Sequence, residues 1–247
     1  MKTNGSVVLV TGANRGLGRA LVEAAIARGA KRVYAAARDP KTLDDLARAS
    51  RDRIVPVQLD ITNAESLAAA AKQAGDVTLL VNNAGVLASA SVLASTDAAV
   101  AREFETNFFG TLAAMRAFAP ALERAAASGG SAAIVNVLSI VSVANMPAIG
   151  GYSAAKAAAF SVTQALRAEL GKKGVRVHAA LPGAIDTDMV RDFAMPKTSP
   201  AAVAAGILDG VERDEDEILP DPQSKDMFAL FRRDPKELER QLAASLG

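Results

Sequence analysis

The sequence predicts an α/β protein built on a parallel sheet with helices on both faces. Two patterns carry this expectation. Short apolar runs recur between helical stretches at 6–11, 32–37, 53–59, 77–82, 132–138 and 175–180, with a shorter candidate near 217–219. Strands that alternate with helices pair in parallel and are covered on both sides. The first run, Val7-Val8-Leu9-Val10, passes into Thr11-Gly12-Ala13-Asn14-Arg15-Gly16-Leu17-Gly18 and then an Ala-rich helix. Strand, glycine turn, helix is the order of a dinucleotide-binding unit. A chain of 247 residues, half of them apolar, can bury such a core as one domain, 1–247.

Each element has its own reason. In the glycine turn, Gly12 permits the tight bend, Gly16 lets backbone approach a pyrophosphate, and Gly18 lets helix and strand pack closely. The helix N–H groups are then aimed at phosphate oxygens. The helices read as 17–28, 41–49, 64–73, 97–125, 152–171, 200–211 and 234–245. The second strand carries the cofactor choice. Enzymes that bind NAD place an acid about 20 residues after the glycine turn, on the ribose 2′-hydroxyl, whereas an arginine accommodates the 2′-phosphate of NADP. Here Ala37 holds that position, Arg38 follows, and Arg15 sits inside the glycine loop. Two guanidiniums suit a phosphate, with Asp39 as the competing holder of a ribose hydroxyl. Pro196, Pro200, Pro220 and Pro222 punctuate the later chain, marking 187–200 as a candidate lid and 220–247 as a C-terminal helical appendage.

Tyr152 and Lys156 stand at i and i+4 on the expected helix 152–171, and Ser139 ends the apolar run 132–138. Side chains four apart on a helix lie about 5–6 Å apart, so the ammonium can stabilise a phenolate. Bringing a free tyrosine from about pKa 10 to neutrality requires roughly 4 kcal/mol of such preference. The pair is therefore a candidate proton donor and acceptor.

The Thr-Gly-x-x-x-Gly-x-Gly spacing, Asn82-Asn83-Ala84-Gly85, Asn107, Ser139, Tyr152 and Lys156 together resemble the short-chain dehydrogenase/reductase family over residues 6 to about 190. The resemblance implies a Rossmann-type doubly wound sheet of about seven strands, a nicotinamide cofactor and hydride transfer at a carbonyl carbon. It implies Ser139 as polariser of the carbonyl, Tyr152 as proton donor, Lys156 as tuner of the tyrosine and holder of the nicotinamide ribose, and Asn107 as holder of a relay water. Cofactor contacts are expected from Gly12, Asn14, Arg15, Gly16, Leu17, Gly18, Arg38, Asp60, Ile61, Asn83, Ala84, Gly85, Tyr152, Lys156, Pro182, Gly183, Ile185 and Thr187, with Asn82 as structural support. Asp60 could alternatively cap the following helix. The cofactor expected is NADPH.

Composition narrows the partners. The net charge is +1 and cysteine is absent, which argues against nucleic acid, an anionic membrane, disulfides and thiolate metal sites. No apolar segment approaches a membrane span or a signal peptide, so a cytoplasmic protein is expected. His178, the only histidine, lies in an apolar strand and receives no role. The acidic run 212–217 reads as a solvated helix end, because it lacks the spaced ligands of a cation loop, and no metal is expected. The Ala-rich faces of 97–125 and 153–170 suit a homo-oligomer, a dimer or tetramer.

The substrate wall is expected from Ile140, Val141, Val143, Met146, Ile149, Met189, Phe193 and Met195, all apolar, which suits an apolar ketone or aldehyde and its alcohol. Two other readings stand beside that one: an acyl-carrier-protein ketoreductase and a non-catalytic sensor of NADP(H). The intact Ser139, Tyr152 and Lys156 favour an enzyme. The long segment after residue 219 departs from the short glycine-rich ending usual in ketoreductases.

Overall fold

The strands are β1 (Val7–Thr11), β2 (Arg32–Ala37), β3 (Ile54–Gln58), β4 (Leu79–Asn82), β5 (Ala132–Val137), β6 (Val175–Ala180) and β7 (Glu217–Ile218). In the computed structural model, which describes residues 1–50, 52–88 and 90–244, they form one parallel sheet in the order β3-β2-β1-β4-β5-β6-β7. β1, β4 and β5 are buried along their whole length, as strands covered on both faces must be. β3 pairs on one side only, with β2, so Pro56 lies in an edge strand, where a missing donor is tolerated.

The strand order reverses between β1 and β4. Their carboxyl ends open a crevice there, which is where doubly wound sheets bind ligands. On one face α1 (Gly16–Ala27) packs against a later helix, α7 (Pro200–Arg213). Val203, Ile207, Leu208 and Val211 are buried in that contact, each contributing about 1.5–3 kcal/mol. The other face is covered by α3 (Ala64–Gln73), α5 (Thr111–Ala127) and α6 (Gly150–Gly171).

Three elements depart from the sequence-based expectation. The helix expected over 97–125 is α4 (Asp97–Phe104), then a π-helical turn, Glu105–Gly110, then α5. The wide turn accommodates a fully buried Asn107, and Gly110 packs so closely that a Cβ there would lie 2.9 Å from Ile61 Cγ1. The stretch expected as helix 41–49 opens with a 3-10 turn, Pro40–Leu43, before α2 (Asp44–Ala49). After β7 come two helices, α8 (Pro222–Arg233) and α9 (Pro235–Ala243); the helical appendage is expected over 220–247, but only the second helix has an expected range of its own. The start of α8 follows from Asp221, which accepts from Ser224 N–H in a capping box with Pro222 at the first helical position.

Gly12 and Gly16 adopt left-handed φ of 65° and 53°, so the turn needs glycine at both. Gly18 is required by contact instead, because a Cβ there would lie 2.1 Å from Gly12 O. Gly18→Ala should therefore force the glycine turn off the helix and cost about 1–3 kcal/mol. Chemical denaturation of the variant checks this, and unchanged stability would show that the turn can give way.

Candidate active site

The carboxyl ends of the strands open into one cleft of about 1230 Å³. Every cofactor residue expected from the sequence lines it, as does every expected substrate residue except Val143; among the expected catalytic residues Ser139, Tyr152 and Lys156 line it and Asn107 does not. Four segments build the dinucleotide side: the glycine turn, the end of β2, the Asp60-Ile61 loop and the turn after β4.

Thr11 ties two of these segments together. Its hydroxyl accepts the N–H groups of Asn83 (2.9 Å) and Ala84 (3.0 Å), while Asn83 Nδ2 donates back to Thr11 O (2.9 Å) and Gly12 O (3.2 Å). The Asn83 side chain is thus a strut between the ends of β1 and β4. Asn82 Nδ2 donates to Asn136 Oδ1 (2.9 Å), and Asn136 Nδ2 donates to Thr163 Oγ1 (2.9 Å), linking β4, β5 and α6 through buried groups.

Asp60 holds Thr62 through its N–H (3.0 Å) and hydroxyl (2.7 Å). Those bonds lower its pKa. The cap of α3 is Asn63, which accepts from Ser66 N–H, so Asp60 is spared that duty. Asp39 caps the 3-10 turn through Lys41 N–H (3.0 Å), which binds one of its oxygens locally. Arg38 is exposed at the cleft. Arg15 pairs across the cleft mouth with Asp188 at 3.2 Å, both groups largely exposed, so the pair is weak.

Ser139, Tyr152 and Lys156 meet where β5 ends and α6 begins. Ser139 caps the 3-10 turn Ile140–Ser142 by accepting Val141 N–H, and its hydroxyl bonds the Tyr152 phenol. Lys156 is 3% exposed and donates to Val137 O at 2.9 Å, with its ammonium 5.6 Å from the centre of the Tyr152 ring. Burial pushes this lysine down to about 8. Burial raises the Tyr152 pKa, the Ser139 bond lowers it, and the Glu103 charge raises it further. Desolvation is the largest of these influences on the phenol. The phenol is firmly protonated.

Asn107 lies behind the cleft wall. Its Oδ1 accepts Val86 N–H (3.1 Å) and its Nδ2 donates to Val86 O (2.8 Å). It holds the loop after β4 and fits closely under Gly85, where a Cβ would lie 2.9 Å from Asn107 Oδ1 and 3.6 Å from Lys156 Nζ.

On the other side, Leu138, Ile140, Val141, Ile149, Leu181, Met146, Phe193, Met227 and Phe228 form an apolar cluster. Val143 packs into that cluster without reaching the cleft. The segment 187–200 starts from a closed neck, with Asp186 N–H to Thr198 O and Thr198 N–H to Ala184 O both at 2.9 Å. Residues 220–244 are more than an appendage, since Gln223, Met227 and Leu242 line the cleft. Asp221 accepts Gly183 N–H (2.9 Å) and Gln223 accepts Ala184 N–H (2.7 Å), fixing the loop after β6.

Residues outside the cleft have structural roles. His178 is buried, with Nδ1 2.6 Å from Glu215 O. The acidic run is a partner for arginines, through Arg167 to Glu217 (2.9 Å) and Arg176 to Asp214 (2.7 Å), where the sequence suggested a solvated helix end. Among the described residues, no helix is long and apolar enough to cross a membrane.

Residues 6–197 match the family model described as short chain dehydrogenase. Over 191 residues the chain is 37% identical to "Probable galactose dehydrogenase GalD" of Rhizobium meliloti, covering 74% of this chain and 73% of that protein. It is 30% identical over 217 residues to the 3-oxoacyl-[acyl-carrier-protein] reductase FabG of Salmonella typhimurium, covering 86% and 87%. The structure superposes with a TM-score of 0.91 on a short chain dehydrogenase from Burkholderia cenocepacia in complex with NADP, at 41% identity over 98% of this chain and 99% of that one.

Lys156 carries a stability cost that can be measured. The gap between an ordinary lysine and about 8 disfavours the charged form by roughly 3 kcal/mol at neutral pH. With the bond to Val137 lost in exchange, Lys156→Met should gain on the order of 1–2 kcal/mol at pH 7. In the parent, the folded lysine releases its proton near pH 8 while the unfolded chain keeps its own, so stability should rise with pH above that point. Denaturant melts across this range check both. A destabilised Met variant, or the same pH slope in both proteins, would contradict the account.

Proposed function

The chain belongs to the short-chain dehydrogenase family, and from that premise we propose that it is an NADPH-dependent reductase of an apolar ketone or aldehyde. One juxtaposition carries the reading: Ser139, Tyr152 and Lys156 lie between a glycine-lined cradle and an apolar wall in the same cleft. The cradle suits a dinucleotide, because Gly12, Gly16 and Gly85 let its segments close up on one another, a Cβ there lying 3.0 Å from Ala84, 3.1 Å from Thr187 and 2.9 Å from Asn107, so that backbone rather than side chains lines it. Arg15 and Arg38 at its rim, with Asp39 engaged as a cap, suit the 2′-phosphate of NADP. The relative from Burkholderia cenocepacia is bound to NADP, which supports this choice.

When bound, the dinucleotide supplies a hydride to the carbonyl carbon. Ser139 donates a hydrogen bond to the carbonyl oxygen and polarises it. Tyr152 donates to the same oxygen and gives up its proton as the C=O electron pair moves there, forming the alcohol O–H. The raised pKa of Tyr152 keeps that proton in place until charge develops on the oxygen. Lys156, protonated at neutral pH, stabilises the phenolate left behind. Asn107 fixes the loop under Gly85. Met146, Ile149, Phe193, Met227 and Leu242 wall the substrate and exclude water, so sugars are poor candidates.

A second reading, an acyl-carrier-protein ketoreductase, has the similarity to FabG in its favour. It is weakened by α8 and α9, which put Met227 and Leu242 into the cleft wall in place of a short glycine-rich ending. The exposed Leu93 and Phe109 suit contact with a second copy.

Tyr152→Phe should lower carbonyl reduction at least about a hundredfold with little change in NADPH binding, because only the proton donor is lost. Near-normal turnover in the folded variant would remove the assignment. Replacing both Arg15 and Arg38 should weaken NADPH far more than NADH in direct titration; tighter wild-type binding of NADH would mean that Asp39 governs the choice. In a matched kinetic panel, aryl and medium-chain aliphatic ketones and aldehydes should outperform sugars and short hydroxy acids. Met227→Ala and Phe193→Ala should reorder that ranking by about tenfold per lost contact, and an unchanged order would take both residues out of the substrate wall.

A further inference from the structure

Glu103 is a charged residue buried to the same degree as the core, at 1% exposure, and the chemistry above does not use it. It lies at the end of α4, which packs against the start of α6. One oxygen accepts Ala88 N–H at 2.7 Å. The other sits so close to Gly151 that a Cβ there would lie 2.5 Å from it. Gly151 immediately precedes Tyr152. The first turn of α6 has no acid of its own and no side-chain cap, so its free N–H groups present a partial positive charge. That charge and Lys156 both favour a phenolate at Tyr152, and the Glu103 carboxylate opposes them.

We propose that Glu103 is a positioning residue that holds Tyr152 in its protonated, proton-donating form, so that reduction persists to higher pH than the helix terminus and Lys156 alone would allow. The inference rests on the reading of Tyr152 as proton donor. The groups around Glu103 are few. Arg102 neighbours it on α4, Asp97 begins that helix and Glu105 opens the π-helical turn, while on α6 Tyr152, next to Gly151, feels its charge. The segments 83–88, 90–96 and 139–149 contain no ionisable side chain. Burial raises the Glu103 pKa while Ala88 N–H and Arg102 lower it, so the acid is anionic once the pH passes its own midpoint.

The chain contains two tyrosines and no tryptophan, which makes the test direct. In a Tyr34→Phe background, the ultraviolet absorbance of tyrosinate reports Tyr152 alone, and the additional change Tyr152→Phe should abolish the signal. Glu103→Gln keeps the shape and an acceptor for Ala88. Glu103→Leu is a second neutral variant in case the first does not fold. Both should ionise Tyr152 at lower pH than the parent, while Glu103→Asp should stay near it. The absorbance titration isolates Tyr152, whereas the alkaline limb of kcat/KM also carries the Lys156 proton, lost near pH 8. An unchanged midpoint in the neutral variants overturns the inference, as does an Asp variant that behaves like the neutral ones. Failure of the functional reading is a separate result, the absence of turnover in the parent, and leaves the absorbance titration intact.

Discussion

The candidate site depends on one buried contact, the Lys156 ammonium bonded to the carbonyl of Val137 at the end of β5. It fixes the first turns of α6 to the strand that leads into Ser139, and so sets the distance between phenol, hydroxyl and ammonium. Burying a cation with a single donated bond among the described contacts is costly. The fold supplies the restraint from elsewhere. Asn82, Asn136 and Thr163 lock β4, β5 and α6 together, and the apolar cluster around Ile140, Ile149 and Leu181 fills the space beside the site. A lysine that would otherwise reach water is held among core groups, which is why its proton is loosely held and its charge is available to a phenol.

The same logic explains the cradle. Gly12 and Gly16 supply the left-handed backbone of the turn, and Gly18 supplies a missing side chain, since the turn and the helix converge within contact distance. Thr11 and Asn83 then bind that convergence into one unit. The rim arginines stay exposed, and Arg15 pairs there with Asp188.

Much of this was legible in the sequence because it is local. Apolar runs of strand length, a glycine turn and the four-residue spacing of Tyr152 and Lys156 each express one element, and all appear near their expected positions. What escaped was non-local. Glu103 looks like one more charge on an amphipathic helix, and only packing against Gly151 shows it to be buried. Met227 and Leu242 reach the cleft because α8 and α9 fold back over it, which no local pattern announces. Asp221 could have been read from Asp-Pro-x-Ser as a helix cap, but its second bond to Gly183 is a tertiary contact. The π-helical turn at Asn107 likewise reflects two bonds to Val86 from a distant loop. For Tyr152, likewise, spacing reveals the charge beside the phenol and not the desolvation around it.

The most direct measurement is a single turnover with NADPH carrying deuterium at the transferable position, offered with an aryl or medium-chain ketone. The account requires the label on the carbinol carbon of the product, with transfer lost in Tyr152→Phe although the cofactor still binds. Tight NADPH binding without label transfer to any carbonyl of a broad panel would contradict it and mark the cleft as a site for sensing the dinucleotide.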